Sequence, residues 1–121
     1  MKKKAIVVDD EPSNLKLTIT FLKMLGFEVF EFSNPLDVMD VIESINPRVD
    51  LLVTDFDMPQ MNGAKLIKKI KEKKPKIQTI CVSGLDNKAV CDSNGCNIFL
   101  MKPLRFKFFK EAVEFLFPPL E

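Results

Sequence analysis

The chain has 121 residues, the size of one domain, and 46% of them are hydrophobic, enough to bury a core and too many for a disordered chain. Its 18 basic residues nearly balance 17 acidic ones, which removes any electrostatic case for nucleic acid or an anionic membrane as the main partner. Histidine is absent, so Ser-His and Cys-His catalysis are excluded, and the 3 cysteines (Cys81, Cys91, Cys96) fit reduced thiols better than a disulfide framework or a zinc site.

The N-terminal "MKKKAIVVDDEP" is basic and then briefly apolar. Its "AIVV" is shorter than the roughly seven residues a signal-peptide core needs, and no stretch approaches the roughly 18 apolar residues of a membrane span. A soluble, cytoplasmic domain is expected. Ala5–Val8 is predicted as the first strand, ending in Asp9-Asp10-Glu11. A helix follows over "LKLTITFLKML", with Leu15, Ile19 and Leu22 at helical spacing and Gly26 as its C-terminal cap. "EVFEFS", from Glu28, reads as an edge strand with one drier face.

Asn34-Pro35 is a start signal for the second helix, an N-cap followed by proline at the first helical position. Val38, Val41, Ile42 and Ile45 form its expected buried stripe, and Asn46-Pro47 ends it. Leu51–Val53 is predicted as a buried strand that runs into two acids, Asp55 and Asp57. Met58-Pro59 and Asn62-Gly63 then make the turn into a third helix. From Ala64, that helix places Leu66, Ile67 and Ile70 inward and its lysines outward, so "KKIKEKKPK" reads as a solvated face and not as a nucleic-acid site.

Ile77–Val82 forms the fourth predicted strand and ends at Ser83-Gly84. Leu85–Gly95 is polar, with room for a short helix only, and Asn94-Gly95 marks a turn. Ile98–Met101 is the last strand and ends at Lys102-Pro103. In the final helix, Phe109, Ala112, Val113 and Leu116 form the buried stripe, while Phe106, Phe108 and Phe115 fall elsewhere. At the C-terminus, residues 119–121 fit the start of a linker or a cloning scar. Strand–helix alternation with non-alternating apolar strands implies one α/β domain over 1–121, a doubly wound parallel sheet with helices on both faces. Ligands bind such sheets outside the carboxyl ends of the strands.

Those ends carry Asp9, Asp10, Asp55, Asp57, Ser83 and Lys102. Singly, an Asp after a strand is a turn or a cap, and Ser-Gly is a turn. Jointly they mean more. Several acids at one edge repel each other unless a cation is present. An oxygen-rich cluster of this kind suits Mg²⁺, with Mn²⁺ as the alternative ion. A nearby ammonium and hydroxyl would complement the oxygens of a phosphoryl group.

"VVDDEP", "LLVTDFDMPQMNG", "CVSG" and "FLMKP", in that order across the whole chain, resemble the response-regulator receiver domain of two-component signalling. The resemblance implies a (βα)5 flavodoxin-like fold with strand order 2-1-3-4-5. It implies Asp55 as phosphoacceptor from a phosphohistidine kinase or phosphotransfer protein. It implies Mg²⁺ held by Asp10 and Asp55, by Asp9 through water, and by the backbone carbonyl of Asp57. It gives Lys102 and Ser83 the phosphoryl oxygens, and it gives Ser83 and Phe99 the role of switch. The expected partners are a sensor kinase and a downstream target or output domain, with helix 4, strand 5 and helix 5 as the output face and a candidate homodimer surface. Such a domain takes part in its own phosphorylation and dephosphorylation and is not a turnover enzyme.

The chain departs from the family pattern in a short fourth helix, and position 57, where the family varies, carries an acid. Three competing readings remain. A pseudo-receiver would keep the fold without phosphorylation. An Asp-x-Asp phosphatase would use "DFD", although that family places the motif on its first strand. A flavodoxin-like carrier would need a hydroxyl- and glycine-rich loop where this chain has the acidic "DDEPSN".

Overall fold

A computed structural model describes residues 2–119. Residues 120 and 121 of the expected linker start lie outside the described residues. Five strands and five helices alternate: β1 (Lys4–Val8), α1 (Pro12–Met24), β2 (Glu28–Phe32), α2 (Pro35–Ser44), β3 (Leu51–Asp55), α3 (Gly63–Lys73), β4 (Gln78–Ser83), α4 (Lys88–Ser93), β5 (Ile98–Met101) and α5 (Phe106–Leu116). All strand pairs are parallel and the order is β2-β1-β3-β4-β5, the flavodoxin-like arrangement.

Each interior strand divides its side chains between the two faces, as the period of two requires. Ala5, Val7, Leu51, Val53, Ile80 and Val82 join Leu22 of α1 and Phe109, Ala112 and Val113 of α5 in one cluster. Ile6, Val8, Leu52 and Cys81 join Val38 and Ile42 of α2, Leu66, Ile67 and Ile70 of α3, and Cys91 of α4 in the other. Both faces of the sheet are covered, so the interior strands read as unbroken apolar runs in the sequence.

The helix boundaries have local causes. Asn34 Oδ1 accepts from the Leu36 N–H and Asn62 Oδ1 from the Lys65 N–H, capping α2 and α3. Glu11 caps α1 by accepting from the Ser13 and Asn14 N–H groups. Gly26 follows α1 at φ 88°, and Gly95 sits in the turn after α4 at φ 94°, both in the left-handed region that glycine enters without a Cβ penalty.

Several expectations fail in detail. Ile45 is 68% exposed and not in the α2 stripe, because the helix ends at Ser44 and the chain turns away. β2 is the edge strand, but neither of its faces is dry. Val29 packs towards α1 and α5, Phe32 packs towards α2 and α3, and Phe30 stays 39% exposed. Thr18, and not Ile19, is the buried partner of Leu22 in α1. Phe106 is half-buried, edge-on to Phe21 of α1 at 5.3 Å between ring centroids, so it belongs to the α1–α5 junction.

Candidate phosphoryl and metal site

β1 and β3 lie side by side, and their ends bring the acids together. Asp9, Asp10 and Asp55 each place a carboxylate oxygen within 4.8 Å of the others. Asp9 and Asp55 are buried at 6% and 7% exposure, whereas Asp10 faces solvent. β5 delivers the countercharge. Lys102 Nζ lies 2.8 Å from Asp55 Oδ1 and 3.8 Å from Asp9 Oδ2. The Lys102–Pro103 peptide bond is cis. A small cavity beside α1 is lined by Asp9, Asp55 and Lys102 together with Asn14, Thr18 and Leu104.

The electrostatics follow from burial. Desolvation pushes the Asp9 carboxyl up to about 6, against a hydrogen bond from the Glu11 N–H, and the Asp55 charge pushes it further. Asp55 is likewise raised by burial, with the Lys102 hydrogen bond and charge opposing. For Lys102, burial pulls downward, but its hydrogen bond to Asp55 and the charges of Asp9 and Asp55 outweigh it, so its ammonium is held above the ordinary range. One lysine serves two buried carboxylates, which leaves the cluster short of positive charge. Hard oxygen donors lacking countercharge are what a small divalent cation binds, so these residues fit Mg²⁺.

The other candidates are placed differently. Ser83 ends β4, is fully buried, and its carbonyl accepts from the Lys102 N–H at 2.8 Å, which links the two strand ends. Its hydroxyl accepts from the Leu85 N–H and from the Asn87 side chain. Phe99 is half-buried on β5 and packs against the α2–α4 side of the core. Asp57 is exposed on the loop after β3, and Leu85 is 68% exposed on the loop after β4. All three cysteines are free and buried, and burial raises their thiols, Cys96 to about 11, so none is poised as a nucleophile.

Two residues in this region escaped sequence reasoning. The Gly63 N–H donates to the Phe56 carbonyl, and a Cβ on Gly63 would stand 2.3 Å from the Asp55 carbonyl oxygen. Glycine is therefore required to let α3 start against the backbone of the nucleophile candidate. The Asn-Gly pair signalled a turn but not this approach. Asn87, four residues after Ser83, has the residue type of an N-cap, but nothing local signals its contact with the Ser83 hydroxyl.

Among the described residues, no helix is long and apolar enough to cross a membrane. A family model for the response regulator receiver domain matches residues 5–114. A chemotaxis protein CheY homolog of Campylobacter jejuni is 30% identical over 117 residues, covering 92% of this chain and 89% of its own. A CheY-like receiver domain structure from Methanospirillum hungatei superimposes with a TM-score of 0.86 at 28% identity, covering 96% of this chain and 94% of its own. A CheX–CheY–BeF3–Mg²⁺ complex from Borrelia burgdorferi is 21% identical with a TM-score of 0.86, covering 97% of this chain and 90% of its own, a likeness of fold.

Proposed function

The chain belongs to the response regulator receiver domain family, a family of signalling domains, and from that premise we propose that Asp55 accepts a phosphoryl group from a phosphohistidine of a sensor kinase or phosphotransfer protein. The observation that carries this reading is the Lys102 ammonium 2.8 Å from Asp55 inside a cluster of three carboxylates.

Attack of an aspartate oxygen on phosphorus is opposed by charge, since both partners are anionic. The new bond forms between Asp55 and phosphorus as the phosphorus–nitrogen bond to the donor imidazole breaks. Lys102 is placed to move from the carboxylate to the incoming phosphoryl oxygens, where negative charge grows. Mg²⁺ held by Asp10 and Asp55, with Asp9 through water and the Asp57 carbonyl completing the set, would neutralise the remaining charge. The Borrelia burgdorferi neighbour, solved with BeF3 and Mg²⁺, supports the choice of ion; Mn²⁺ meets the same oxygen chemistry. Ser83 then hydrogen-bonds the phosphoryl group, and Phe99 turns inward as Ser83 moves.

In this reading phosphorylation biases a two-state face made by α4, β5 and α5. The domain works in the cytoplasm as a switch and does not turn over substrate. Its output is a downstream protein or an attached domain.

The test is incubation with acetyl phosphate and Mg²⁺, followed by quantitation of acid-labile phosphate. The expected result is near-stoichiometric labelling that disappears in Asp55→Asn, requires the metal and falls at least tenfold in Lys102→Ala. No Asp55-dependent label would leave a non-phosphorylated binding module. Multiple turnovers of a phosphate ester would instead indicate an Asp-x-Asp enzyme, a reading already weakened by the position of "DFD" at the end of β3.

A further inference from the structure

Among the described residues, three helices have asparagine at the N-cap: Asn34 for α2, Asn62 for α3 and Asn87 for α4. An N-cap asparagine ordinarily turns its side-chain oxygen onto the N–H two or three residues on. Asn34 does so at 2.8 Å and Asn62 at 2.9 Å, both from extended backbone. Asn87 does not. Its backbone lies at φ −108°, ψ 21°, and its side chain caps nothing.

The side chain is engaged elsewhere. Asn87 Nδ2 donates to Ser83 Oγ at 2.9 Å, and also to the Leu85 carbonyl at 3.4 Å. The Leu85 carbonyl only accepts, which fixes the nitrogen on this side of the amide. The Leu85 N–H reaches Ser83 Oγ as well, at 3.2 Å, so the buried hydroxyl is held from the α4 side by two donors. The first turn of α4 is left with one local substitute, the Lys88 N–H on Asp86 Oδ1 at 3.1 Å.

We infer that Asn87 is a positioning residue that holds the Ser83 hydroxyl in the conformation seen here and caps α4 when Ser83 leaves it. The inference rests on the reading that Asp55 carries a phosphoryl group that Ser83 hydrogen-bonds. One amide cannot serve both partners. When Ser83 is drawn to a phosphoryl oxygen, the Asn87 side chain is released and can accept from the Ala89 or Val90 N–H. The chemistry at Asp55 is then coupled to the order of the first turn of a short helix, the element most sensitive to a cap.

The experiment is titration of the native protein with beryllofluoride and Mg²⁺, followed by calorimetry and by amide exchange in α4. Asn87→Ala removes the tether from the conformation seen here and the cap from the bound one, two contacts of similar size, so its affinity for the phosphoryl mimic should stay within about threefold of native, and amide exchange carries the test. Asn87→Ser is too short to reach Ser83 yet still caps, so Ala89 and Val90 should exchange slowly with and without the mimic. In native protein the mimic should slow exchange at Ala89 and Val90; in Asn87→Ala it should not. In Ser83→Ala the Asn87 amide is released from the outset, so Ala89 and Val90 should exchange slowly without the mimic, and Asn87→Ala in that background should remove the slowing.

Exchange at Ala89 and Val90 that the mimic leaves unchanged in native protein, or slows equally in Asn87→Ala, overturns the inference and leaves the phosphoacceptor reading intact. Failure of the native protein to bind the mimic and to label at Asp55 overturns both. Asn87 is half-exposed, so these variants are expected to fold.

Discussion

Lys102 Nζ sits 2.8 Å from Asp55 Oδ1 and a full ångström further, 3.8 Å, from Asp9 Oδ2. The lysine therefore satisfies the β3 acid and leaves the β1 acid only partly neutralised. That asymmetry explains why burial lifts Asp9 so far, and it makes the metal-free site an electrostatic liability.

Asp9 gives a pH prediction with a definite sign. Its folded value, about 6, lies above the unfolded value near 3.8. Between these values the folded chain binds more protons than the unfolded one, so metal-free stability rises as pH falls from above 6 towards 4. Asp9→Asn should stabilise the metal-free protein by about 1–2 kcal/mol at pH 7.5, from about 1.4 kcal/mol per pKa unit, discounted for partial solvation. Saturating Mg²⁺ should erase that gain. Urea unfolding at pH 7.5 and 4.5, with and without the metal, checks both; a stability maximum above pH 7 in the metal-free protein would contradict the argument.

Gly63 gives a prediction about backbone approach. The Cβ of Gly63→Ala would collide with the Asp55 carbonyl oxygen at 2.3 Å, and the obstacle is backbone that cannot rotate away. The variant should lose about 1–3 kcal/mol of stability, as overpacking does. Its Asp55 labelling rate should fall as well, because the strand end carrying the carboxylate is displaced. Denaturation and acetyl-phosphate labelling measure the two effects; wild-type values in both would show that α3 can shift without cost.

Asp57 is exposed beside the site and is expected to influence the lifetime of the phosphoryl group. A carboxylate at this position can accept a proton from an attacking water. Asp57→Asn should therefore slow loss of label by about threefold or more after the donor is removed, with little effect on labelling itself. Leu85→Glu adds a charge on the loop after β4 and should also alter the decay. Identical half-lives in all three proteins would remove both residues from consideration.

Phe108 and Phe115 are 54% and 78% exposed on α5, and Met101 of β5, 48% exposed, lines a cleft with Leu100 and Phe108. Apolar side chains left in water on one helix mark a surface for a partner, or for a second copy of this chain. Phe108→Ser with Phe115→Ser should abolish any concentration-dependent association seen by sedimentation with beryllofluoride, while leaving Asp55 labelling unchanged. Association that survives both substitutions would place the contact elsewhere.

The sequence by itself determined the element order, the two-sided burial of the sheet and the acids, lysine and serine at the strand ends. These are local properties: a buried strand must be continuously apolar, a helix must repeat its apolar positions, and a strand must stop at a polar residue. Val38 and Ile42, Leu66, Ile67 and Ile70, and Phe109, Ala112 and Val113 all lie where their spacing put them. Only the tertiary structure decided the rest. Ile45 had the right spacing but lay beyond the end of its helix, and Phe106 found Phe21 on α1, which packs beside α5 on the same face of the sheet. Gly63 is fixed by a backbone eight residues away that it nearly touches, and Asn87, an N-cap by type, is diverted by a buried hydroxyl. Periodicity records which face a residue shows, but which atom it meets depends on how separate elements are brought together.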